Sequence, residues 1–305
     1  MRGDGLFRSG TVVLAGRPNV GKSTLVNRIV EFKASIVSDK PQTTRNAIRC
    51  VYNGEGLQIV FIDTPGIHLP RLALGKALVD AATGALEEGD LVCYVAEAGD
   101  RTISPEDGEI ISFLEKTPLP ILLVLNKCDR AKTPETAASL YKNRLPLAGT
   151  AFVSAKTGEG VPGLISLVAG FLPEGPPLYD EDIIVDRPEK FIAAEIIREK
   201  ILRLTHEEVP HSAAVEIEEY KSPDEYPERD VLFIRAVIYV EREGQRRIII
   251  GDKGARIREA GRLSRIEIEA LTGHKVYLDL WIKVRPDWRR SEGDLRMLGI
   301  KEKRP

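Results

Sequence analysis

The sequence predicts an α/β domain built on a mostly parallel sheet, followed by a smaller α+β domain. Three observations predict it. Short apolar, β-branched runs recur along residues 11–171 with helix-like segments between them, the pattern of strands buried on both faces of a helix-covered sheet. A stretch thick in Pro and Gly, Leu172-Pro173-Glu174-Gly175-Pro176-Pro177-Leu178, then interrupts the chain. Beyond it the pattern changes to long helical spacing and clean alternation. At 305 residues there is room for two domains, each with its own core.

In the first part, residues 12–15, 57–62, 91–96, 121–125 and 151–153 read as buried strands. Residues 22–30 and 105–116 read as helices, the second opened by Ser104-Pro105-Glu106-Asp107, a cap with proline at the first helical position and acids in the first turn. Ligands of such sheets bind at the carboxyl ends of the strands. The first strand runs directly into Gly16-Arg17-Pro18-Asn19-Val20-Gly21-Lys22-Ser23, a full G-x-x-x-x-G-K-S, with Thr24 next. Its glycines let backbone N–H groups wrap a phosphate chain at a helix N-terminus. Lys22 would reach the β- and γ-phosphates, and the Ser23 hydroxyl would ligate Mg²⁺.

Three further motifs follow in the order a GTPase requires. Asp63-Thr64-Pro65-Gly66 ends the strand 57–62, placing a carboxylate near Mg²⁺ and the Gly66 N–H where a γ-phosphate would sit. Asn126-Lys127-Cys128-Asp129 follows the strand 121–125. The Asp129 carboxylate can accept from both N1–H and the 2-amino group of guanine, which adenine cannot offer, so GTP rather than ATP is expected. Ser154-Ala155-Lys156 follows the last strand, where a backbone N–H can meet guanine O6.

These motifs resemble those of the translation-factor-related GTPases, and Gln42-Thr43-Thr44-Arg45 resembles their first switch. The resemblance implies a P-loop GTPase that binds GTP, with GDP as product, and gives catalysis to Lys22, Thr44, Asp63 and Gly66. One threonine would join Ser23 and Asp63 on Mg²⁺, Thr44 in preference to Thr43. Loss of the γ-phosphate would release both switches. Position 67 is Ile, not the glutamine that orients water in Ras-like enzymes. Among GTPases with a hydrophobic residue there, Asn19 can help hold K⁺ near the phosphates, where it would act on transition-state charge as an arginine finger does.

In the second part, Phe191, Ala194, Ile197, Ile201 and Leu204 have helical spacing, Ala213, Val215 and Ile217 alternate with polar and acidic neighbours, and residues 231–240 read as a strand. Residues 275–284 alternate with Val276, Leu278, Leu280, Ile282 and Val284 on one face, leaving Tyr277 and Trp281 on the other. With Trp288, these aromatics are the side chains that could stack on bases. Between the strands lies Ile250-Gly251-Asp252-Lys253-Gly254-Ala255-Arg256-Ile257-Arg258. A G-x-x-G loop between an apolar run and a helix admits a sugar-phosphate chain, and Lys253, Arg256 and Arg258 add charge, as in the KH loop that clamps about four nucleotides of single-stranded RNA. Asp252 puts an acid at its tip.

The flanking segments, Gln245-Arg246-Arg247 before the loop, Glu259-Ala260-Gly261 after it and the strand 275–284, closely resemble the type II KH domain of the Era family of bacterial ribosome-assembly GTPases, and with the upstream motifs the resemblance covers nearly the whole chain. It implies the order α-β-β-α-α-β and a division into a GTP-binding domain over 1–178, a linker over 179–187, and a KH domain with a basic tail over 188–305. It further implies a monomer that binds ribosomal RNA near the 3′ end of the small subunit during assembly, without DNA. The compartment implied is the cytoplasm, with peripheral association at the inner face of the membrane. Two rivals stand beside it: an RNA-binding scaffold with an incidental nucleotide site, and a GTPase whose RNA is transfer RNA.

Composition sets the remaining limits. Lys and Arg number 44 against 46 Asp and Glu, a net charge of −2 that excludes a uniformly basic coat. The balance hides a swing, since residues 181–230 carry 7 basic and 15 acidic side chains and residues 231–305 carry 18 and 11. Cys50, Cys93 and Cys128 have no metal-ligand spacing, and a reducing compartment fits them. No apolar run reaches the roughly 18 residues of a membrane span.

Overall fold

The structure is a computed structural model that describes residues 7–38, 40, 43–65, 73–206, 209–225 and 230–301. Gln42, Gly66 and Ile67 lie outside the described residues. Two compact units emerge: Met1–Ser35, Thr44–Arg71 and Gly75–Asp186 form the first, and Arg187–Pro305 forms the second together with Ile36–Thr43 and Leu72–Leu74.

Among the described residues the first unit carries six strands, β1 (Arg8–Ala15), β2 (Ile48–Gly54), β3 (Leu57–Asp63), β4 (Leu91–Glu97), β5 (Ile121–Asn126) and β6 (Leu147–Phe152), and five α-helices, α1 (Lys22–Ile29), α2 (Ala73–Glu87), α3 (Pro105–Leu114), α4 (Pro134–Lys142) and α5 (Val161–Ala169). The sheet order is β2-β3-β1-β4-β5-β6, parallel throughout except for β2. Ile110, Ile111 and Leu114 of α3 and Ala137, Ala138 and Tyr141 of α4 join Tyr94, Leu123 and Leu125 in one buried cluster. Alternate residues Leu14, Cys93, Val95, Leu122 and Val124 point the other way and are also fully buried, so the sheet is covered on both faces. The expected cap of α3 is present, with Ser104 Oγ accepting from Asp107 N–H at 3.1 Å.

Parallel register is what gathers the motifs. Leu14 pairs with Asp63, Ala15 with Tyr94 and Glu97 with Asn126, so the loops after β1, β3, β5 and β6 leave from one end of the sheet. Residues 173–186, expected in part as a linker, lie strapped across the other edge. Buried Gln58 of β3 accepts from the Leu178 and Tyr179 N–H groups at 2.7 and 2.9 Å and donates to Tyr179 O at 2.9 Å. Ile184 O then accepts from Val51 N–H of β2 at 2.8 Å. That contact covers an otherwise open strand edge.

The second unit contains α6 (Glu189–Leu204), α7 (Val209–Ser212), β7 (Ala214–Lys221), β8 (Leu232–Val240), α8 (Glu243–Ile250), α9 (Ala255–Thr272), β9 (Val276–Val284) and α10 (Glu292–Met297). This is the expected order with the short α7 and α10 added. β7 pairs antiparallel and β9 parallel with the central β8, and the parallel pairing requires the crossover that α8 and α9 supply. Lys200 of α6 pairs with Glu267 of α9. Trp288 departs from the expectation that it could stack on bases: it is fully buried and donates through Nε1 to Ser212 O at 2.9 Å. A buried indole with its N–H satisfied is core, not a platform. Tyr277 and Trp281 do stay about half exposed. No helix among the described residues is long and apolar enough to cross a membrane.

Candidate nucleotide site and G-x-x-G loop

The loop from β1 to α1 is held by its own lysine. Lys22 Nζ donates to Gly16 O at 2.7 Å and Arg17 O at 3.1 Å. Burial lowers its pKa to about 8, with the nearby charge of Asp63 opposing the shift. Gly21 caps α1 at φ 101°, and a Cβ there would run into the Asn126 side-chain amide. Only glycine meets both conditions.

At the other side of Lys22, Ser23 Oγ and Thr44 Oγ1 are 3.0 Å apart. Asp63 is completely buried, and neither carboxylate oxygen has a hydrogen-bond partner among the described residues. Burial drives its pKa up; the hydroxyl of Ser23, the charge of Lys22 and the hydroxyls of Ser35 and Thr44 oppose that, without completing a bond. A buried carboxyl with bare oxygens is costly unless something cationic completes it. Two hydroxyls beside a carboxylate form a set of hard oxygen donors that fits Mg²⁺. Of the threonine pair, it is Thr44 that lies against Ser23; Thr43 Oγ1 donates instead to Lys40 O at 2.5 Å. Thr64 donates to Leu14 O at 2.6 Å and is buried with Pro65, so both hold the turn by packing.

The loops after β5 and β6 are bound to each other and to the phosphate loop. Asn126 Oδ1 accepts from the N–H groups of Lys127 and Ala155 at 2.8 and 2.9 Å, and Nδ2 donates to Val20 O at 2.8 Å. Lys127 Nζ donates to Asn19 O at 2.8 Å and Glu97 Oε1 at 2.7 Å. Asp129 Oδ1 accepts from Ser154 Oγ at 2.7 Å, a bond that holds its carboxyl below the ordinary value. The Ala155 N–H, bonded to Asn126, is therefore occupied. The exposed Lys156 contributes a backbone N–H that makes no hydrogen bond among the described residues.

Sequence reasoning placed the backbone of Arg17 at the phosphates and gave its side chain no role; the structure turns that side chain into an acidic cluster. Its guanidinium pairs with Asp100 at 2.8 Å and with the fully buried Asp107 at 3.2 Å. Tyr94 Oη donates to Asp107 at 2.9 Å and Tyr141 Oη to Asp100 at 3.0 Å. Burial works against the charged guanidinium, but Asp107, Asp100 and Glu97 outweigh it and leave its pKa raised. Only the backbone of Arg17 is thus free to face a ligand. The sequence marks Asp107 as part of the α3 cap, but nothing local marks it as the partner of Arg17, which sits 90 positions away.

The first-switch segment divides between the units. Thr44 belongs to the first, whereas residues 36–43 group with the second. There, Arg198 donates to Thr43 O, Arg203 donates to Val37 O at 3.3 Å, and Glu199 Oε1 accepts from Val37 N–H at 3.3 Å. Arg198 and Glu199 are both buried, and neither was singled out by sequence reasoning. Their helix reads by periodicity as an ordinary amphipathic one.

The G-x-x-G loop links α8 to α9 through the one-turn helix Asp252–Gly254. Gly251 adopts φ 71°, and a Cβ there would lie 2.8 Å from that of Arg256, closer than real atoms approach, so the tight turn needs glycine. Lys253 and Arg258 are exposed, and Ile250 is half-buried. Arg258 Nη1 donates to Lys253 O at 2.7 Å and Arg256 to Ile248 O, so both guanidiniums shape the loop as well as charging it. The exposed Asp252 is the acid beside Lys253.

Known proteins share this architecture. Residues 11–127 match the family model of the 50S ribosome-binding GTPases and residues 208–289 that of the KH domain. GTPase Era of Carboxydothermus hydrogenoformans is 47% identical over 298 residues, covering 97% of this chain and 99% of the relative. A crystal structure of Era in complex with MgGDPNP and nucleotides 1506–1542 of 16S ribosomal RNA is 40% identical at a TM-score of 0.91, covering 97% of this chain and 99% of that one. A substituted Aquifex aeolicus Era bound to GDP·AlF4⁻ matches at the same identity and TM-score, covering 97% of this chain and 100% of that one.

Proposed function

Because the chain belongs to the Era family of GTPases, we propose that its hydrolysis of GTP to GDP is tied to clamping single-stranded RNA near the 3′ end of small-subunit ribosomal RNA during assembly of that subunit. The observation that carries the reading is the meeting of Ser23, Thr44 and the orphaned Asp63 at one end of the sheet where the Asp129–Ser154 pair also stands.

Ser23 Oγ, Thr44 Oγ1 and Asp63 would hold Mg²⁺, which would supply charge neutralisation at the phosphates when bound. Backbone N–H groups of residues 16–24, with the exception of Pro18, which has none, wrap the phosphates. Lys22 exchanges its two carbonyl partners for phosphate oxygens, whose negative charge favours the charged form that burial opposes. Asp129 accepts from guanine N1–H and the 2-amino group, and the N–H of Lys156 is the donor for O6. Gly66 is assigned the γ-phosphate contact by its place in the motif. With isoleucine at 67 no glutamine aims the water, and Asn19 is assigned to a K⁺ beside the phosphates. Turnover is expected to rise at least tenfold when K⁺ replaces Na⁺; equal rates in the two buffers would remove the cation from the reaction.

In the second unit, the backbone at Ile250, Gly251, Asp252 and Gly254 admits the RNA sugar-phosphate chain, while Lys253, Arg256 and Arg258 supply charge. Seven basic against three acidic residues in 242–262 make the attraction local and salt-sensitive. The cytoplasm, with peripheral association at the inner face of the membrane, is the compartment proposed on the same family membership.

Coupling runs through the first switch, whose Thr44 stands at the metal site while Thr43 O is held by Arg198. An oligoribonucleotide copying the small-subunit 3′ end is expected to bind tighter with GDPNP than with GDP, and to tighten GDPNP over GDP by the same factor. Equal RNA affinities in the two nucleotide states would refute the coupling, and preference for transfer RNA would move the target.

A further inference from the structure

Arg28 is an exposed arginine on the last turn of α1, in none of the motifs. Its side chain crosses to the loop after β6. Nε donates to Ala155 O at 3.2 Å and Nη2 to Lys156 O at 2.6 Å. Together with Thr24, Asn27, Phe32, Lys33 and Lys156 it lines an open cleft of about 640 Å³ beside the helix. One residue of the phosphate-loop helix thus grips two consecutive carbonyls of the loop assigned to guanine O6.

The covalent geometry gives that grip a direction. Ala155 C=O and Lys156 N–H belong to one planar, trans peptide, so fixing the carbonyl toward Arg28 points the N–H the opposite way. That N–H makes no hydrogen bond among the described residues. The preceding Ala155 N–H is fixed by Asn126 Oδ1, which leaves rotation of the 155–156 peptide as the loop's free movement. A cationic donor on the carbonyl also polarises the peptide and strengthens its N–H as a donor.

We propose that Arg28 is a positioning residue for guanine recognition, aiming the Lys156 N–H at the O6 of the base. The inference rests on the assignment of residues 154–156 to O6. Its reach is narrow: it concerns the 6-oxo group and neither the phosphates nor the 2-amino group.

Displacement of a fluorescent GDP from the full-length chain tests it with three competitors. GDP and IDP both carry O6; the 2-aminopurine riboside diphosphate lacks it together with the N1–H assigned to Asp129, so the comparison between variants, not the wild-type preference alone, reads the O6 contact. Wild-type protein is expected to bind GDP well above the 2-aminopurine analogue. Arg28→Ala is expected to weaken GDP and IDP alike by about tenfold, the scale of a lost charge-assisted hydrogen bond, and to leave the analogue unchanged. Arg28→Lys, which can reach one carbonyl, is expected to recover part of the loss. Thermal midpoints should agree among the three proteins, since the side chain is exposed. Equal weakening of all three ligands would make Arg28 a general support of α1 and overturn the proposal, as would unchanged GDP affinity. A wild type that fails to prefer GDP over the analogue would instead overturn the assignment of the loop to O6, and Arg28's role with it.

Discussion

Lys22→Ala is expected to lower GTP turnover by about 10²–10³-fold, the scale of removing one preorganised donor from developing charge. The loss should not come from unfolding. Lys22 is charged at a buried position that disfavours its charge, and alanine relieves that cost while giving up two bonds to loop carbonyls. The thermal midpoint is therefore expected to stay within about 4 °C of wild type. Steady-state hydrolysis and a melting curve on the same preparation check both halves. The variant also separates the enzyme from the scaffold reading. If cells carrying Lys22→Ala in place of the wild type mature their small subunits normally, turnover is incidental and the scaffold returns.

The second large effect lies in base choice. Asp129 is positioned by Ser154, whose bond also holds its carboxyl below the ordinary value, and on the proposed reading its carboxylate would accept from guanine N1–H and the 2-amino group. Asp129→Asn replaces one acceptor with a donor, which opposes the 2-amino group and suits the 2-oxo group of xanthine. GTP affinity is expected to fall by about 10²–10³-fold, because a site built for a hydrogen bond rejects the ligand that leaves it unpaired, and xanthosine triphosphate is expected to take its place. Competition among GTP, XTP and ATP reads the switch. An Asn variant that still prefers GTP would displace Asp129 from its assigned role.

Legibility in the sequence followed the range of the interactions. The strands β1, β3, β4 and β5 are continuous apolar runs because both of their faces are buried, and the motifs begin where those runs end. β2 was not legible: Arg49 and Asn53 interrupt it, as suits an edge strand partnered on one side by β3. The strap over 173–186 was invisible for a different reason. It depends on Gln58, about 120 positions away, and a lone glutamine in an apolar strand announces no partner. Trp288 shows the converse. An aromatic in a basic tail resembles a base platform until Ser212 O, 76 positions earlier, takes its N–H. Arg17, Arg28 and Arg198 share this blindness, since their types were plain and their partners distant.

The division of the first switch has a consequence for synthesis. Residues 36–43 complete a unit whose main body begins at Arg187, and Thr43 precedes its partner Arg198 by 155 positions. At about 5–20 residues per second, the ribosome needs roughly 8–30 s to add that interval. A nascent chain can close the six-stranded sheet within this time, but the buried guanidinium of Arg198 that holds Thr43 does not yet exist. A loop made early in the chain is among the last to find its contacts, and a fragment begun at residue 187 would lack it altogether.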